Sequence, residues 1–305
     1  MIINKFYFLI FIFILGLFLR LYNINFEDLW FDEQASFLVA DPRLNHADTI
    51  LLSKNLDKGT SIFFNLILKK YFGLFDYDPD IGRVLTALIG VISIPSLSYL
   101  AYQIKKNNGY ILVAFLSSIS WYLISYSQEL RTYSLLFLLS ILSIIFFFKL
   151  IDEDKKIINL NFFLFILISS LAAATHIFFF IILFSQFVFL IINKFEIKDY
   201  FYVKLISLIL IPLIYIFIMY DYLILQLQLS NQDFWIQQVK LEFFVNFFFS
   251  RFFGSKIMGV IYLLTLVYLI ITQRKMIFKF SSKYFFLFLL LFFSYFLPLI
   301  YSLFK

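Results

Sequence analysis

The chain has 305 residues, 63% of them hydrophobic and only 14% charged, with a mean hydropathy of +0.93; soluble domains are nearer half apolar and a quarter charged, so a water-soluble fold is excluded. There is no Cys, and His46 and His176 are the only histidines, which excludes disulfides, thiolate chemistry and a multi-histidine metal site. The net charge of +6 falls mainly between apolar runs, a membrane topology signal rather than a nucleic-acid footprint, and no nucleic-acid partner is expected.

In chain order, about nine apolar runs approach the roughly 20 residues that a spanning helix needs: 6–22, 82–103, 110–127, 132–150, 157–175, 177–193, 200–220, 256–272 and 284–304. The expected fold is all-α, a polytopic bundle forming one transmembrane unit over 1–305. The first run lacks a small-residue cleavage site and continues directly into Arg20-Leu21-Tyr22, so it reads as an anchor and not a signal peptide.

The stretch 60–75 is different. Ser61, Asn65 and Lys69 recur every four residues as one polar stripe, and Lys69 with Lys70 would be costly at mid-bilayer. It reads as an interfacial helix lying on the outer leaflet. The first outer loop then covers 23–81 and carries juxtamembrane helices; a second covers 221–255.

Orientation follows from the short loops. With the N-terminus inside, the inner segments carry Lys5, Lys105, Lys106, Lys149, Lys155, Lys156, Lys194, Lys198, Lys204, Arg274, Lys275, Lys279 and Lys283, while the two short outer hairpins carry only Arg131. Basic residues stay cytoplasmic, so a multi-pass inner (plasma) membrane protein with a cytoplasmic N-terminus is expected.

This topology gathers the suggestive polar residues on the outer side. In Trp30-Phe31-Asp32-Glu33 two adjacent carboxylates follow two aromatics. At a membrane surface one of them could serve as a general base, or the pair could simply be an acidic helix start. Adjacent residues on a helix point about 100° apart, so the two should not serve the same atom. Tyr126-Ser127-Gln128-Glu129-Leu130-Arg131-Thr132-Tyr133 is a tight turn whose Glu129 and Arg131 suit a phosphate or a metal, or equally an interfacial anchor. His176 ends a helix as a ligand or as a satisfied interfacial group. Arg83, after Asp78-Pro79-Asp80-Ile81-Gly82, either snorkels or faces an anionic headgroup. Trp235, Lys240 and Arg251 in the second outer loop read as interface anchors. No Gly-rich phosphate loop is present, so energy for chemistry at the outer face would arrive in an activated lipid.

Taken in order, these residues resemble the membrane glycosyltransferases of the C-type fold, in particular the dolichyl-phosphate-mannose-protein mannosyltransferase-like family (glycosyltransferase family 39-like), which includes the aminoarabinose transferases of lipid A. Leu19-Arg20-Leu21-Tyr22 followed by Trp30-Phe31-Asp32-Glu33 is similar to the family's first helix and loop Asp-Glu motif. Residues 60–83 resemble its juxtamembrane helix and following Arg. Ser127-Gln128-Glu129-Leu130-Arg131-Thr132-Tyr133 resembles its Ser-Gln-Glu-x-Arg-x-Tyr turn, and Thr175-His176 its Thr-His-Tyr segment.

The resemblance implies transfer of a monosaccharide from a polyprenyl-phosphate carrier to a lipid, glycan or protein acceptor, with inversion. It implies Asp32 as the base with Glu33 supporting it, and Arg83, Glu129, Arg131, His176 and Lys58 as substrate-binding residues. Asp57-Lys58-Gly59 stands where some members have Glu-Lys-Pro, which makes Asp57 a candidate ligand for a divalent metal ion. The sequence departs from the family at Gly59-Thr60-Ser61, where His-Pro-Pro is common, and at Asp80, one residue from the usual acid. It also ends at Lys305 where members continue into a Pro-Arg-Tyr segment. Two other classes stay open: a lipid or glycan flippase or transporter, and an inactive structural subunit.

Overall fold

The computed structural model describes residues 2–56, 62–152, 158–194, 200–230, 242, 255–279 and 282–303. These residues form helices and no strand: α1 (Ile2–Leu21), α2 (Phe31–Val39), α3 (His46–Leu56), α4 (Ile62–Leu74), α5 (Pro79–Ile104), α6 (Gly109–Ile119), α7 (Trp121–Gln128), α8 (Tyr133–Asp152), α9 (Leu160–Thr175), α10 (Phe179–Ile192), α11 (Phe201–Ser230), α12 (Lys256–Ile277) and α13 (Lys283–Leu303). Asp57, Lys58 and Ser61, and Trp235, Lys240 and Arg251 of the second outer loop, lie outside the described residues.

Five described helices have the length and apolarity to cross a membrane: α5, α8, α11 over 201–221, α12 over 256–275 and α13 over 283–300. The chain is thus a multi-pass helical membrane protein. The run at 110–127, expected as one span, is two helices bent by 52°; counted together they make a sixth crossing. The break lies at Ser120, whose backbone is extended (φ −63°, ψ 114°) and whose hydroxyl accepts from the Leu123 amide at 3.5 Å to start α7. The runs at 157–175 and 177–193 form α9 and α10, of 16 and 14 residues. At about 1.5 Å per residue both fall short of a hydrocarbon core of about 30 Å.

The chain divides into two compact units, 1–179 with 209–227, and 180–208 with 228–305. In the first, α5 lies at the centre, packed by α1, α6, α7 and α8, and α9 packs on α8. Small side chains allow that approach: Ser143 and Ser169 share a 2.8 Å hydrogen bond between α8 and α9, as expected where no hydrophobic drive separates helix from lipid. Asp78 caps α5 by accepting from the Asp80 amide at 2.8 Å, with Pro79 at the first helical position. In the second unit Phe189 of α10 meets Phe286 of α13 edge-on at 5.7 Å, and α12 packs on α13.

Between α1 and α5 the chain folds into three short helices that pack on one another and, through α4, on α5 and α9. The polar stripe of α4 is not turned to water. Asn65 and Lys69 are buried, because α3 and the residues just before it supply their partners: Asn65 donates to Ser53 Oγ at 3.1 Å, and Lys69 Nζ to Thr49 Oγ1 at 3.0 Å, to Asn45 O and to Leu44 O. On the other flank Phe37 stacks on Tyr77 at 4.2 Å, and Phe72 meets both rings edge-on. The Tyr77 hydroxyl donates to Phe37 O at 3.1 Å, and burial pushes this phenol up to about 12. Arg43 closes the cluster, 5.6 Å over the Tyr77 ring and paired with Asp41 at 2.6 Å. The Asp41 carboxyl is held below its usual range by that hydrogen bond.

Candidate functional site

The site is built where the start of α2, the start of α5 and the α7–α8 turn converge. Asp32 and Glu33 lie in the first turn of α2, where the helix dipole favours anionic side chains. The 100° between neighbouring side chains gives them opposite fates.

Glu33 points inward and is 1% exposed. It accepts from Arg83 Nε and Nη2 at 3.0 and 2.7 Å, from the Leu130 amide at 2.6 Å and from the Trp30 amide at 3.4 Å. The last bond is the return half of a capping box. One buried carboxylate thereby joins α2, α5 and the turn before α8. The other N–H groups of Arg83 go to backbone carbonyls: Nη1 to Ile24 O at 3.2 Å and Glu27 O at 2.6 Å, Nη2 to Asp28 O at 3.4 Å. A guanidinium has five N–H donors, and these five bonds use them all. Glu33 and Arg83, expected as a catalytic and a substrate-binding residue, are thus engaged with each other and with backbone groups of three segments. Gly82 permits the approach. A Cβ there would lie 2.5 Å from Leu130 Cδ1 and 2.8 Å from Phe72 Cζ.

Asp32 points outward, its side chain 42% exposed. Arg131, which is buried, crosses from the α7–α8 turn to meet it. Its Nη1 donates to Asp32 O at 2.8 Å and Ser36 Oγ at 2.9 Å, and its Nη2 lies 3.7 Å from Asp32 Oδ2. That last separation is an ion pair without a close hydrogen bond. Ser36 has no feature in the sequence to mark it; only its place one turn after Asp32 on a helix gives it away.

Glu129 and His176 complete the cluster. Burial, and next the Glu33 charge, push Glu129 up to about 7, against the pull of Arg131 and Arg83. His176 follows α9, and its neighbour Thr175 accepts from the Thr132 hydroxyl at 3.4 Å. Burial, and then the positive Arg131, lower the imidazole to about 4, so it is neutral at physiological pH. Its Nδ1 accepts from the Phe178 amide at 3.1 Å, which leaves the proton on Nε2. The ring lies 5.9 Å from that of Tyr133. The site thus offers an exposed carboxylate, a buried cation, a carboxyl poised to hold or release a proton near pH 7, and a neutral imidazole N–H donor.

Behind the turn, α1 and the broken span cap each other. Arg20, 1% exposed, donates from Nη1 to Ser118 O at 3.2 Å and Gly16 O at 3.2 Å, and from Nη2 to Ser117 O at 3.0 Å. The Ser117 and Ser118 carbonyls lie in the last turn of α6, the end that attracts cations. In return Gln128 Nε2 donates to Tyr22 O at 2.8 Å and Arg20 O at 3.2 Å at the end of α1, beyond which Asn23 takes a left-handed turn (φ 53°).

No group of three His, Asp or Glu side chains able to hold a metal comes together among the described residues, and Asp57, the candidate metal ligand, lies outside them. No family model, no curated protein and no solved structure matches this chain.

Proposed function

We propose that the protein is a glycosyltransferase that moves a monosaccharide from a polyprenyl-phosphate carrier to an acceptor at the outer face of the plasma membrane. The observation that carries this reading is the half-exposed Asp32 set beside the buried Arg131, with Glu129 and His176 adjoining, where the starts of α2 and α5 meet the α7–α8 turn. This pairing is what an in-line transfer from a phosphate needs. Asp32 takes the proton of the acceptor hydroxyl, whose oxygen attacks the anomeric carbon. The bond from that carbon to the phosphate oxygen breaks, its electron pair leaves on the phosphate, and configuration inverts. Arg131 supplies charge to the leaving phosphate, a role that rewards a fixed, poorly solvated cation. The His176 Nε2–H and Glu129 are placed to hydrogen-bond hydroxyls or phosphate oxygens.

Asp32 and Arg131 carry the chemistry in this proposal, and Glu33 and Arg83 position them. The resemblance of the ordered motifs supports the substrate class, and the lysine distribution supports an outer site with a cytoplasmic N-terminus. The test is transfer of labelled sugar from a synthetic polyprenyl-phosphate donor in membranes. Asp32→Asn should lose about 10²–10⁴ of the rate at unchanged protein level. A normal rate removes Asp32 from the mechanism.

One observation favours a second reading. The 52° break between α6 and α7, with Arg20 buried behind it, is the kind of discontinuous helix that transporters use. A flippase would move the labelled lipid between leaflets without cleaving its glycosyl bond, so release of the free carrier phosphate separates the two.

A further inference from the structure

At the end of the first unit opposite the site, α1, α5 and α6 part to leave a groove of about 500 Å³. Its floor is the buried Ile12, Ile94 and Ala114. Its walls carry Tyr99, Tyr102 and Tyr110, the last two edge-to-face at 5.8 Å. Pro95 lies within α5 on its lining. A proline inside a helix removes one backbone hydrogen bond. Ser98 closes the far side by donating to Tyr110 O at 3.0 Å. The lining is mainly apolar and the groove is open rather than enclosed, so a bound molecule can extend out of it.

The mouth is positively charged. Lys149 lies 5.7 Å over the Tyr99 ring, and Lys5, one turn before the groove-lining Leu9, donates to Asn108 at 2.9 Å, two residues before Tyr110. Lys105 and Lys106 are exposed in the connection between Tyr102 and Tyr110. Asp152, beyond Lys149 on α8, is the acid that shares this end among the described residues of the unit. An apolar slot walled by tyrosines, with four lysines at its opening, matches a molecule with a hydrocarbon chain and an anionic head. Cations near a membrane surface attract acidic lipids.

We infer that this groove is a binding site for an anionic glycerophospholipid, with one acyl chain lying between α1, α5 and α6 and the phosphate held by Lys5, Lys149 and the Lys105–Lys106 pair. The site is separate from the proposed sugar-transfer centre, and its occupancy does not depend on that activity.

The test uses the purified full chain in detergent, titrated with phosphatidylglycerol or phosphatidylcholine of the same acyl length, with bound lipid counted by native mass spectrometry. Phosphatidylglycerol should be retained over phosphatidylcholine, and Lys5→Gln with Lys149→Gln should weaken it by about fivefold per lysine removed. Ala114→Phe should displace the chain and lower retention of both lipids. The lysine variants change exposed or half-buried groups, so they keep the test readable if Ala114→Phe does not fold. Equal retention of the two lipids, or retention unchanged in the lysine pair, overturns the assignment. So does preferential retention of an added polyprenyl phosphate that Ala114→Phe abolishes, since the groove would then serve that carrier.

Discussion

A single carboxylate pair illustrates how much one residue's rotation decides. Asp32 and Glu33 are neighbours of nearly equal chemistry, yet one is solvent-facing and the other sits under Arg83 and the Leu130 amide. Glu33→Gln should therefore act on the fold first. Removing the charge from a buried Arg pair costs about 3–5 kcal/mol, read as a lower detergent melting temperature with little protein left to assay. Asp32→Asn should leave that melting temperature unchanged. Glu129 gives a pH dependence whose sign is set by burial. Its folded carboxyl titrates near 7 and the free one near 4.5, so the fold favours the protonated form. The stability cost of its charge is absent below about 4.5 and complete above about 7. Glu129→Gln should raise the melting temperature at pH 8 and hardly change it at pH 5. The same titration places a negative charge beside Arg131 at high pH, so the KM for a phosphate donor should fall from pH 8 to pH 6 in the native chain and stay flat in Glu129→Gln. A flat native profile would remove Glu129 from the donor site.

At the scale of elements, the sequence speaks clearly about where helices lie and poorly about which way they face. The apolar runs, and the presence of helices between α1 and α5, are legible from hydropathy and loop length. The stripe Asn65–Lys69 is legible as a stripe but not as a buried one, because its partners Ser53 and Thr49 come from α3, and Asn45 from just before it, a weakly patterned segment. The break at Ser120 is not legible either, since serine is a common helix residue and the Arg20 donors that meet the α6 carbonyls there come from another helix. Asp32, Glu33, Arg83, Glu129, Arg131 and His176, singled out in the sequence, come together in the structure, whereas Asp57 and Lys58 lie outside the described residues. Which carboxylate is buried against Arg83 and which faces outward beside Arg131 is not legible, because that depends on tertiary docking. Gly82→Ala tests the docking directly: the added methyl meets Leu130 and Phe72, and overpacking of this kind costs about 1–3 kcal/mol. It should depress transfer and stability together, unlike Asp32→Asn.

For the molecule as a whole, sidedness is the property on which the proposed chemistry stands. The chain has no cysteine, so single cysteines report topology without background. Positions 32 and 129 should both react with a membrane-impermeant maleimide added outside, and position 106, in the exposed connection after α5, only after the membrane is opened. Labelling of 106 from outside would reverse the assigned orientation and place the site in the cytoplasm.

The exchange of caps between α1 and the broken span also sets an order of assembly. The acceptors of Arg20 lie 97 and 98 residues downstream, at Ser117 and Ser118. At roughly 5–20 residues per second of synthesis, this guanidinium waits on the order of 5–20 s before its carbonyls leave the ribosome. Through that interval the Arg20 guanidinium lacks two of its three carbonyl acceptors. A nascent chain stalled before residue 117 should hold this helix beside the insertion machinery, where crosslinks would find it, and one stalled well after residue 128 should have let it go.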